Sequence, residues 1–494
     1  MQGLQPLLSR LKSNKYIILF FVLLLMFLAY ITLYSSGGIG DEGLILADVQ
    51  KMAHGQLIYR DFFSWITPGL YYLLLWVWNI FGQQYIVVRI LTMLIAWLIG
   101  IFIYLTSRAI LNKSWSLINV VIFVTLFYPR HMTYSYHWVS LLLTLIAVCL
   151  VNIYLKNPKI KFLISGGIVL GLGLYFLHTR VMVALVSVAL FLYYYDRQRL
   201  GSKNASRNCF VFLASAGFLF LCLMLPHLLK VGWPTLWFDL VTSNLFYYPT
   251  INYLPLKHNL AFILTGGVHI FLFFLLFRKK LFTPQISLYY FYSLCLFISV
   301  CYRFDTHHLA YIYSSFALPL SLYVLSQIKI SLKKIPEFLS SSLLLAPLLF
   351  YHESLIGYYL DHRQWQAVPT KIGLVYLTKS HAPMAQSVLR ELEQIPDKNV
   401  LLYPSVAYYY PFSDKVNPTK YNIIYGKYLD DKTKAEIMND LANKNIRYII
   451  YLPTESRWEE PDEKFLTQFL TMNYAEKKIQ YQNYDGYFYL YTKK

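Results

Sequence analysis

Charge is scarce in this chain of 494 residues. Only 14% of the residues are charged, whereas 57% are hydrophobic. Soluble globular domains carry about 25% charged residues, so this composition excludes an ordinary soluble protein. Apolar runs of bilayer-spanning length recur between short polar turns. The sequence therefore predicts a multi-span α-helical membrane protein.

Cysteine is also rare, and the common nucleotide-binding motifs are missing. The five cysteines lie in or at the ends of apolar runs and form no CxxC pair. This pattern argues against a disulfide framework and against a thiolate metal site. The sequence contains no GxxxxGK[ST], GxGxxG or GxSxG motif, no internal repeat and no low-complexity segment. A cytoplasmic nucleotide is therefore not indicated as the energy source.

The net charge of +19 does not indicate a nucleic-acid partner, because the basic residues form small clusters between apolar runs. We predict about 11 transmembrane helices, and before residue 353 most Lys and Arg residues then lie on the cytoplasmic side, as the positive-inside rule requires. The predicted spans are 16–34, 85–107, 115–129, 136–155, 162–178, 180–195, 208–229, 259–277, 285–302, 308–328 and 337–352. The N-terminus is expected in the cytoplasm.

The apolar stretch 66–82 is not counted as a span, because a span there would reverse the charge bias. We expect it to lie in the interface or to re-enter the membrane. Beyond the membrane region, predicted strands at 399–405, 446–452 and 486–491 alternate with predicted helices at 385–395, 430–445 and 462–473, which is typical of a small α/β domain. The predicted domains are a membrane region at 1–352 with an outer-face loop at 35–84, a connecting segment at 353–384, and an extracytoplasmic α/β domain at 385–494.

The stretch GGIGDEGL places two adjacent acids, Asp41 and Glu42, directly after the first span. One interpretation is an acidic helix start, with Asp41 as the N-cap. The alternative is a catalytic pair, because a carboxylate at the membrane–water boundary is well placed to act as a base. The glycines before the pair favour close approach of the backbone to another group.

Two further polar stretches fall on the predicted outer face. Arg60 and Asp61 are either a solvated turn with a local ion pair or groups that position a substrate. The stretch RFDTHHL at 303–309 is compatible with anion binding, metal binding or interfacial capping. Its polar side chains are Arg303, Asp305, His307 and His308.

Arg130 and Arg180 are predicted to lie on the same outer surface as these acids. Either residue alone is most often interfacial, with its charged end in water. Together with the 303–309 stretch they would surround one outer-face site. The sequence therefore predicts a carboxylate pair at one edge of the site and Arg and His groups for an anion, such as a lipid phosphate.

This arrangement resembles the GT-C membrane glycosyltransferases. The similarity is to the bacterial branch related to protein O-mannosyltransferases and to the aminoarabinose transferases of lipid A. The resembling features are the acidic pair after the first span, the YRDF stretch with Pro68 beyond it, and the Arg-x-Asp-x-x-His junction. Where O-mannosyltransferases carry His-Pro-Pro, this chain has Ile66-Thr67-Pro68-Gly69. The acceptor therefore remains open.

The resemblance implies a role for each matching residue. Asp41 matches the catalytic base and Glu42 its partner. Arg303 and His308 match the junction that holds the donor phosphate, to which Arg130 and Arg180 would contribute. Four other residues would position the substrate or complete the site: Arg60, Asp61, Asp305 and His307.

The expected function is transfer of a monosaccharide from a polyprenyl-phosphate-linked sugar to a glycan, lipid or protein acceptor on the extracytoplasmic side, with inversion. A divalent metal ion is an optional cofactor, because relatives differ in this respect. Membrane lipids are expected partners, and nucleic acid is not. The alternatives are a lipid-linked oligosaccharide polymerase or ligase, and a lipid or solute transporter.

Overall fold

The protein is described by a computed structural model. The described residues are 15–35, 37–247, 260–300, 308, 310–311, 313–327, 344–345, 348, 365–404, 406–422, 424, 431–453, 463–482 and 485–494.

The membrane region consists of helices joined by short turns. The helices up to residue 200 are α1 Lys15–Leu33, α2 Gly40–Ala53, α3 Gly69–Phe81, α4 Tyr85–Ser107, α5 Lys113–Ile122, α6 Tyr136–Lys156, α7 Ile160–Phe176 and α8 His178–Leu200. Further helices are α9 Ser202–Val231, α10 Trp233–Trp237, α11 Leu260–Arg278, α12 Pro284–Ser299 and α13 Leu318–Gln327. Three π-helical segments are attached to them: Phe123–Phe127 follows α5, Phe238–Tyr247 follows α10 and Tyr313–Ala317 precedes α13.

Local sequence explains several of the helix starts. The Asn112 side chain accepts a hydrogen bond from the Trp115 amide at the start of α5. The Thr283 side chain accepts one from the Ile286 amide at the start of α12, where Pro284 is the first helical residue. Such caps satisfy amides that have no partner inside the helix.

The predicted multi-span helical fold is confirmed. Five described helices are long and apolar enough to cross a membrane: α1, α4, α6, α8 and α9. Shorter apolar helices cover the predicted spans at 115–129, 162–178 and 259–277. The number of spans remains a prediction, since the last two predicted spans lie partly (308–328) or largely (337–352) outside the described residues.

The stretch predicted not to span contains helix α3. Its 13 residues extend about 20 Å, which is shorter than the roughly 30 Å hydrocarbon core. One face is buried and includes Tyr71 and Trp78, while Trp76, Ile80 and Phe81 are exposed. This amphipathic arrangement is typical of a helix that lies in the membrane interface.

The predicted C-terminal α/β region is also confirmed. Its helices are α14 His381–Gln394, α15 Tyr409–Ser413, α16 Asp431–Asn443 and α17 Glu463–Asn473. Its strands are β1 Gln366–Thr370, β2 Gly373–Leu377, β3 Val400–Tyr403, β4 Tyr448–Tyr451, β5 Tyr474–Gln480 and β6 Tyr487–Lys493. The sequence predicted β3, β4 and β6 but not β5, nor the β1–β2 hairpin within the predicted connecting segment.

The four-stranded sheet is mixed, with the order β3-β4-β6-β5. Strands β3 and β4 are parallel, while β6 is antiparallel to both of its neighbours. Leu401 and Ile449 face a core formed with α16 and α17, and Leu402 and Ile450 join the core that continues into the membrane region. Because successive side chains of a strand point to opposite faces, one face of the sheet packs on α16 and α17 and the other packs on the core shared with the membrane region.

The C-terminal region packs directly on α2, the helix that carries the acidic pair. The Gln50 side-chain amide donates to the Tyr410 carbonyl at 3.3 Å. A Cβ atom added to Gly43 would collide with Tyr408, so the two backbones lie close together. The acid-bearing helix is therefore held between the membrane helices and the C-terminal region.

Candidate functional site

Helix α2 begins at Gly40, one residue before the acidic pair. The N-cap residue is Ile39, and no side chain makes a capping hydrogen bond there. The interpretation of Asp41 as an N-cap is therefore wrong. Asp41 lies in the first turn with its side chain exposed, whereas Glu42 is completely buried. The two adjacent acids thus occupy different environments.

The buried Glu42 carboxylate accepts hydrogen bonds from three separate parts of the chain. Its donors are the Gly38 amide at 2.5 Å, the Tyr134 amide at 2.8 Å and the Tyr85 hydroxyl at 3.0 Å. The Arg89 guanidinium lies 3.4 Å away. The Glu42 side chain is closed to solvent, and these contacts fix the start of α2 against other parts of the chain.

Arg89 connects this cluster to the first helix. Its Nε and Nη2 atoms donate to the Thr32 carbonyl at 3.0 and 2.8 Å, and Nη2 also donates to the Ser35 hydroxyl. A buried charge is tolerated only when it is paired and hydrogen-bonded. Arg89 therefore ties the end of α1 to α4 and, through Glu42, to α2. Sequence reasoning assigned no role to Arg89, although an Arg within an apolar run signals a buried partner.

The glycine before the pair allows this close packing. A Cβ atom on Gly37 would lie 2.7 Å from a Glu42 carboxylate oxygen and 2.9 Å from Arg89 Nη1, and it would collide with the Tyr85 hydroxyl. Gly38 has a φ of +79°, which L side chains rarely adopt. The predicted close approach of backbone at these glycines is therefore present.

The membrane region contains a cavity of about 220 Å³. Its polar walls include Arg180 at the start of α8, His137 at the start of α6, and His308. Both histidines are buried, and their rings are 5.2 Å apart. The other lining residues are Trp65, Ile66, Tyr136, Leu177, Thr179, Val183, Asn244, Leu245, Ser299 and Val300. The structure thus brings two predicted anion-binding residues, Arg180 and His308, to one cavity.

Arg180 is held in this cavity by an aromatic ring. Its guanidinium lies 5.0 Å from the centre of the Tyr311 ring, a distance suited to a cation–π contact. The His137 ring lies 4.9 Å from the same ring. Arg180 Nη1 has no hydrogen-bond partner among the residues that the structure describes. A planar guanidinium with an unused donor is suited to bind a phosphate oxygen.

A short segment connects the cavity to the acidic pair. The Tyr134 amide donates to Glu42, and the Ser135 hydroxyl accepts from the His137 amide at 3.2 Å. His137 therefore lies three residues from the Glu42 contact. The sequence assigns His137 no role of its own, because its pairing with His308 depends on a contact between distant parts of the chain.

Arg60 and Asp61 form a local ion pair, as one of the two interpretations of this stretch predicts. The guanidinium donates to both carboxylate oxygens at 2.9 and 2.8 Å, and Arg60 is well exposed. This hydrogen bonding lowers the pKa of Asp61. Neither residue lines the 220 Å³ cavity. Both line a separate polar cleft together with residues of the C-terminal region.

Several predicted residues fall outside the described part of the chain. Arg303, Asp305 and His307 are among them, and the Arg130 side chain is not described either. Within the described part, no three His, Cys, Asp or Glu side chains are grouped closely enough to hold a metal ion. The roles assigned to these residues and the optional metal ion stay predictions.

The sequence alone identifies no relative. No protein-family model matches it, and no curated protein gives a significant match. Solved structures, however, share the fold. ArnT from Cupriavidus metallidurans, solved with bound undecaprenyl phosphate, aligns with a TM-score of 0.64 over 97% of this chain and 98% of its own, at 10% identity. In its apo state the TM-score is 0.58, at 9% identity and the same coverage.

A second similar structure is the archaeal oligosaccharyltransferase AglB from Archaeoglobus fulgidus, solved with an inhibitory peptide and a dolichol-phosphate. It aligns with a TM-score of 0.54 over 89% of this chain and 69% of its own, again at 10% identity. The alignments with ArnT include the C-terminal region as well as the membrane helices. The predicted GT-C fold is therefore confirmed.

Proposed function

We propose that this membrane protein is a glycosyltransferase that moves a monosaccharide from a polyprenyl-phosphate-linked sugar to a hydroxyl group of an acceptor. The acceptor would be a glycolipid, a polysaccharide or a protein. The reaction would take place on the extracytoplasmic side, where the charge bias of the loops puts α2 and the C-terminal region.

The observation that carries the proposal is the convergence of Arg180, His137 and His308 on one cavity, which the segment 134–137 links to Glu42. A cation and two imidazoles on one wall are suited to a phosphate group. Trp65 adds an aromatic face to the same cavity. ArnT and AglB, which share the fold, were solved with undecaprenyl phosphate and dolichol-phosphate respectively, and this supports a lipid phosphate as the bound anion.

Asp41 would act as the general base. Its exposed carboxylate takes the proton of the acceptor hydroxyl as the acceptor oxygen forms a bond to C1 of the sugar. The bond between C1 and the phosphate oxygen breaks, and its electron pair leaves with the lipid phosphate. This single displacement inverts the anomeric centre. Glu42 would hold the helix start that presents Asp41.

Arg180 would compensate the charge that develops on the departing phosphate. The guanidinium is already oriented by the Tyr311 ring, so little reorganisation is needed when the charge appears. His137 and His308 would donate further hydrogen bonds. The transition state would therefore be stabilised at the phosphate on one side and at the acceptor hydroxyl on the other.

Transfer can be tested with membranes that contain the wild type or a single variant. A labelled sugar on undecaprenyl phosphate is supplied, and label in the acceptor fraction is counted. Asp41→Asn should reduce transfer at least a hundredfold, since general-base catalysis contributes about 10²–10⁴. Unchanged transfer would exclude Asp41 as the base. The same assay with a chelator tests the optional metal ion.

Donor binding is tested separately with farnesyl phosphate in detergent micelles. Arg180→Ala should weaken its binding about 10–100-fold, because a hydrogen bond to a charged group contributes about 1.5–3 kcal/mol. Arg199→Ala is the matched control, since Arg199 lies near the opposite end of the same helix and is exposed. Equal affinities for both variants would argue against the phosphate site.

A further inference from the structure

A turn of the C-terminal region, residues 417–422, contacts both halves of the proposed active site. The Asn417 side chain organises this turn. It donates to the Tyr421 carbonyl at 2.8 Å and accepts from the Thr419 amide at 2.8 Å and the Thr419 hydroxyl at 2.9 Å. Asn417 and Thr419 are both buried. A buried network with these bonds satisfied forms a rigid unit, which we call the Asn417 turn.

One side of the Asn417 turn holds helix α2. The Asn422 side-chain amide donates to the Asp48 carboxylate at 2.5 Å, and the Lys51 ammonium donates to the Thr419 carbonyl at 2.9 Å. Both α2 side chains are almost fully buried. The turn therefore holds α2 through two buried hydrogen bonds, one to the Asp48 carboxyl group and one from the Lys51 ammonium.

These contacts lie on the same face of α2 as Asp41. Asp48 follows Asp41 by seven residues, which is close to two helical turns. Both carboxylates act electrostatically on the Tyr71 hydroxyl of α3. A shift of α2 at Asp48 would therefore move Asp41 relative to the rest of the site.

The other side of the Asn417 turn contacts the segment 63–65, which lines the cavity through Trp65. The Phe63 amide donates to the Lys420 carbonyl at 3.0 Å, and the rings of Phe63 and Tyr421 are 5.7 Å apart. The Phe63 ring also contacts the Trp65 ring, at 5.6 Å, and Trp65 lines the cavity. One rigid turn thus touches the helix that carries the acid and the segment that walls the anion cavity.

We propose that the Asn417 turn positions Asp41 relative to the donor cavity, with Asn422 and Asp48 as the positioning residues. The inference rests on the proposed glycosyltransferase function. These residues contact no reacting atom, so they act through α2. Loss of the Asn422–Asp48 bond should lower kcat, whereas binding of the lipid phosphate should persist, because Arg180, His137 and His308 lie on other elements.

The central variant is Asn422→Ala. We expect kcat for sugar transfer to fall at least tenfold, while the Kd for farnesyl phosphate stays within twofold of the wild type. Backbone amides of α2 should exchange hydrogen at least tenfold faster. The matched control is Asn443→Ala on α16, where the side chain is exposed, and it should change none of the three measurements.

Exchanging the two side chains distinguishes a positioning role from a general loss of structure. The double variant D48N/N422D keeps one amide-to-carboxylate hydrogen bond and keeps a carboxylate near Lys51. It should recover at least part of the kcat lost in either single variant. A wild-type kcat and unchanged exchange in N422A would overturn the proposal, as would a parallel loss of kcat and farnesyl phosphate binding.

The proposed function and the positioning role can fail independently. If the wild type transfers no label, the glycosyltransferase assignment fails. Hydrogen exchange of α2 and the affinity for farnesyl phosphate still measure whether N422A releases the helix without disturbing the cavity. Unchanged α2 exchange in that variant would refute the positioning role even where wild-type transfer is observed.

Discussion

The guanidinium of Arg89 lies 3.4 Å from the carboxylate of Glu42, and neither side chain is exposed to solvent. This pair gives the two adjacent acids, Asp41 and Glu42, different environments. The Glu42 carboxylate binds Arg89, the Tyr85 hydroxyl and two backbone amides, whereas the Asp41 side chain is exposed to solvent. In the proposed reaction, the fixed helix start would present Asp41 as the general base.

Removal of the buried acid should destabilise the protein. Glu42→Ala leaves the Arg89 charge buried without its carboxylate partner, and breaking such a pair costs about 3–5 kcal/mol. We expect a clear drop in the midpoint of thermal unfolding in detergent micelles. The adjacent variant Asp41→Asn is the control, since the Asp41 side chain is exposed and makes no hydrogen bond or ion pair within the described part of the chain. A melting temperature equal to that of the wild type in Glu42→Ala would refute a structural role for the pair.

Glycine 37 provides a second test of the same cluster. Gly37→Ala would place a methyl group 2.7 Å from the Glu42 carboxylate and force the buried groups apart. Overpacking of this kind costs about 1–3 kcal/mol. Gly217→Ala is the matched control, because nothing lies within 4 Å of the added Cβ atom inside helix α9. Unfolding midpoints should fall for the first variant and stay equal or rise for the second.

Hydropathy and strand–helix alternation predicted most of the fold. The long apolar runs coincide with helices because a bilayer leaves the backbone no other way to satisfy its hydrogen bonds. Strand β5 was missed because Glu476, Lys477 and Lys478 interrupt the apolar pattern, which an edge strand with exposed side chains tolerates. Strand β1 was missed because it is short and contains Pro369.

The candidate site was less predictable than the fold. Charge reasoning grouped Arg180 and His308 on one side of the membrane, and the structure places both at one cavity. The Glu42–Arg89 pair was not predicted, because the sequence does not specify which cation meets a buried acid 47 positions away. The Asn417 turn was not predicted either, since its contacts with α2 join residues more than 360 positions apart.

Asp239 is an acidic residue whose side chain is buried. It lies on the π-helical segment after α10, between two predicted spans, and neither carboxylate oxygen has a hydrogen-bond partner among the described residues. Burial raises the pKa of Asp239 to about 7. Lys420 opposes this rise, and Glu436 adds to it. The folded protein therefore favours the protonated form.

The consequence is a specific dependence of stability on pH. Because the pKa is raised on folding, the contribution of Asp239 to stability is fully present below about pH 4 and is lost as the pH rises through about 7. Asp239→Asn stays neutral at every pH and has nearly the same shape. Its advantage over the wild type should therefore grow between pH 4 and 7, to about 4 kcal/mol at most, and stay constant at higher pH.

Thermal unfolding in detergent micelles at pH 5, 6, 7 and 8 measures this difference. We expect the melting temperature of Asp239→Asn to exceed that of the wild type by a margin that widens up to about pH 7. Asp485→Asn, on the exposed turn before β6, serves as the control and should show a margin that does not change with pH. A constant margin for Asp239→Asn would mean that its carboxyl group does not titrate in this range. The buried acid would then have to be paired with a cation, and Lys420 is the cation that lowers the Asp239 pKa.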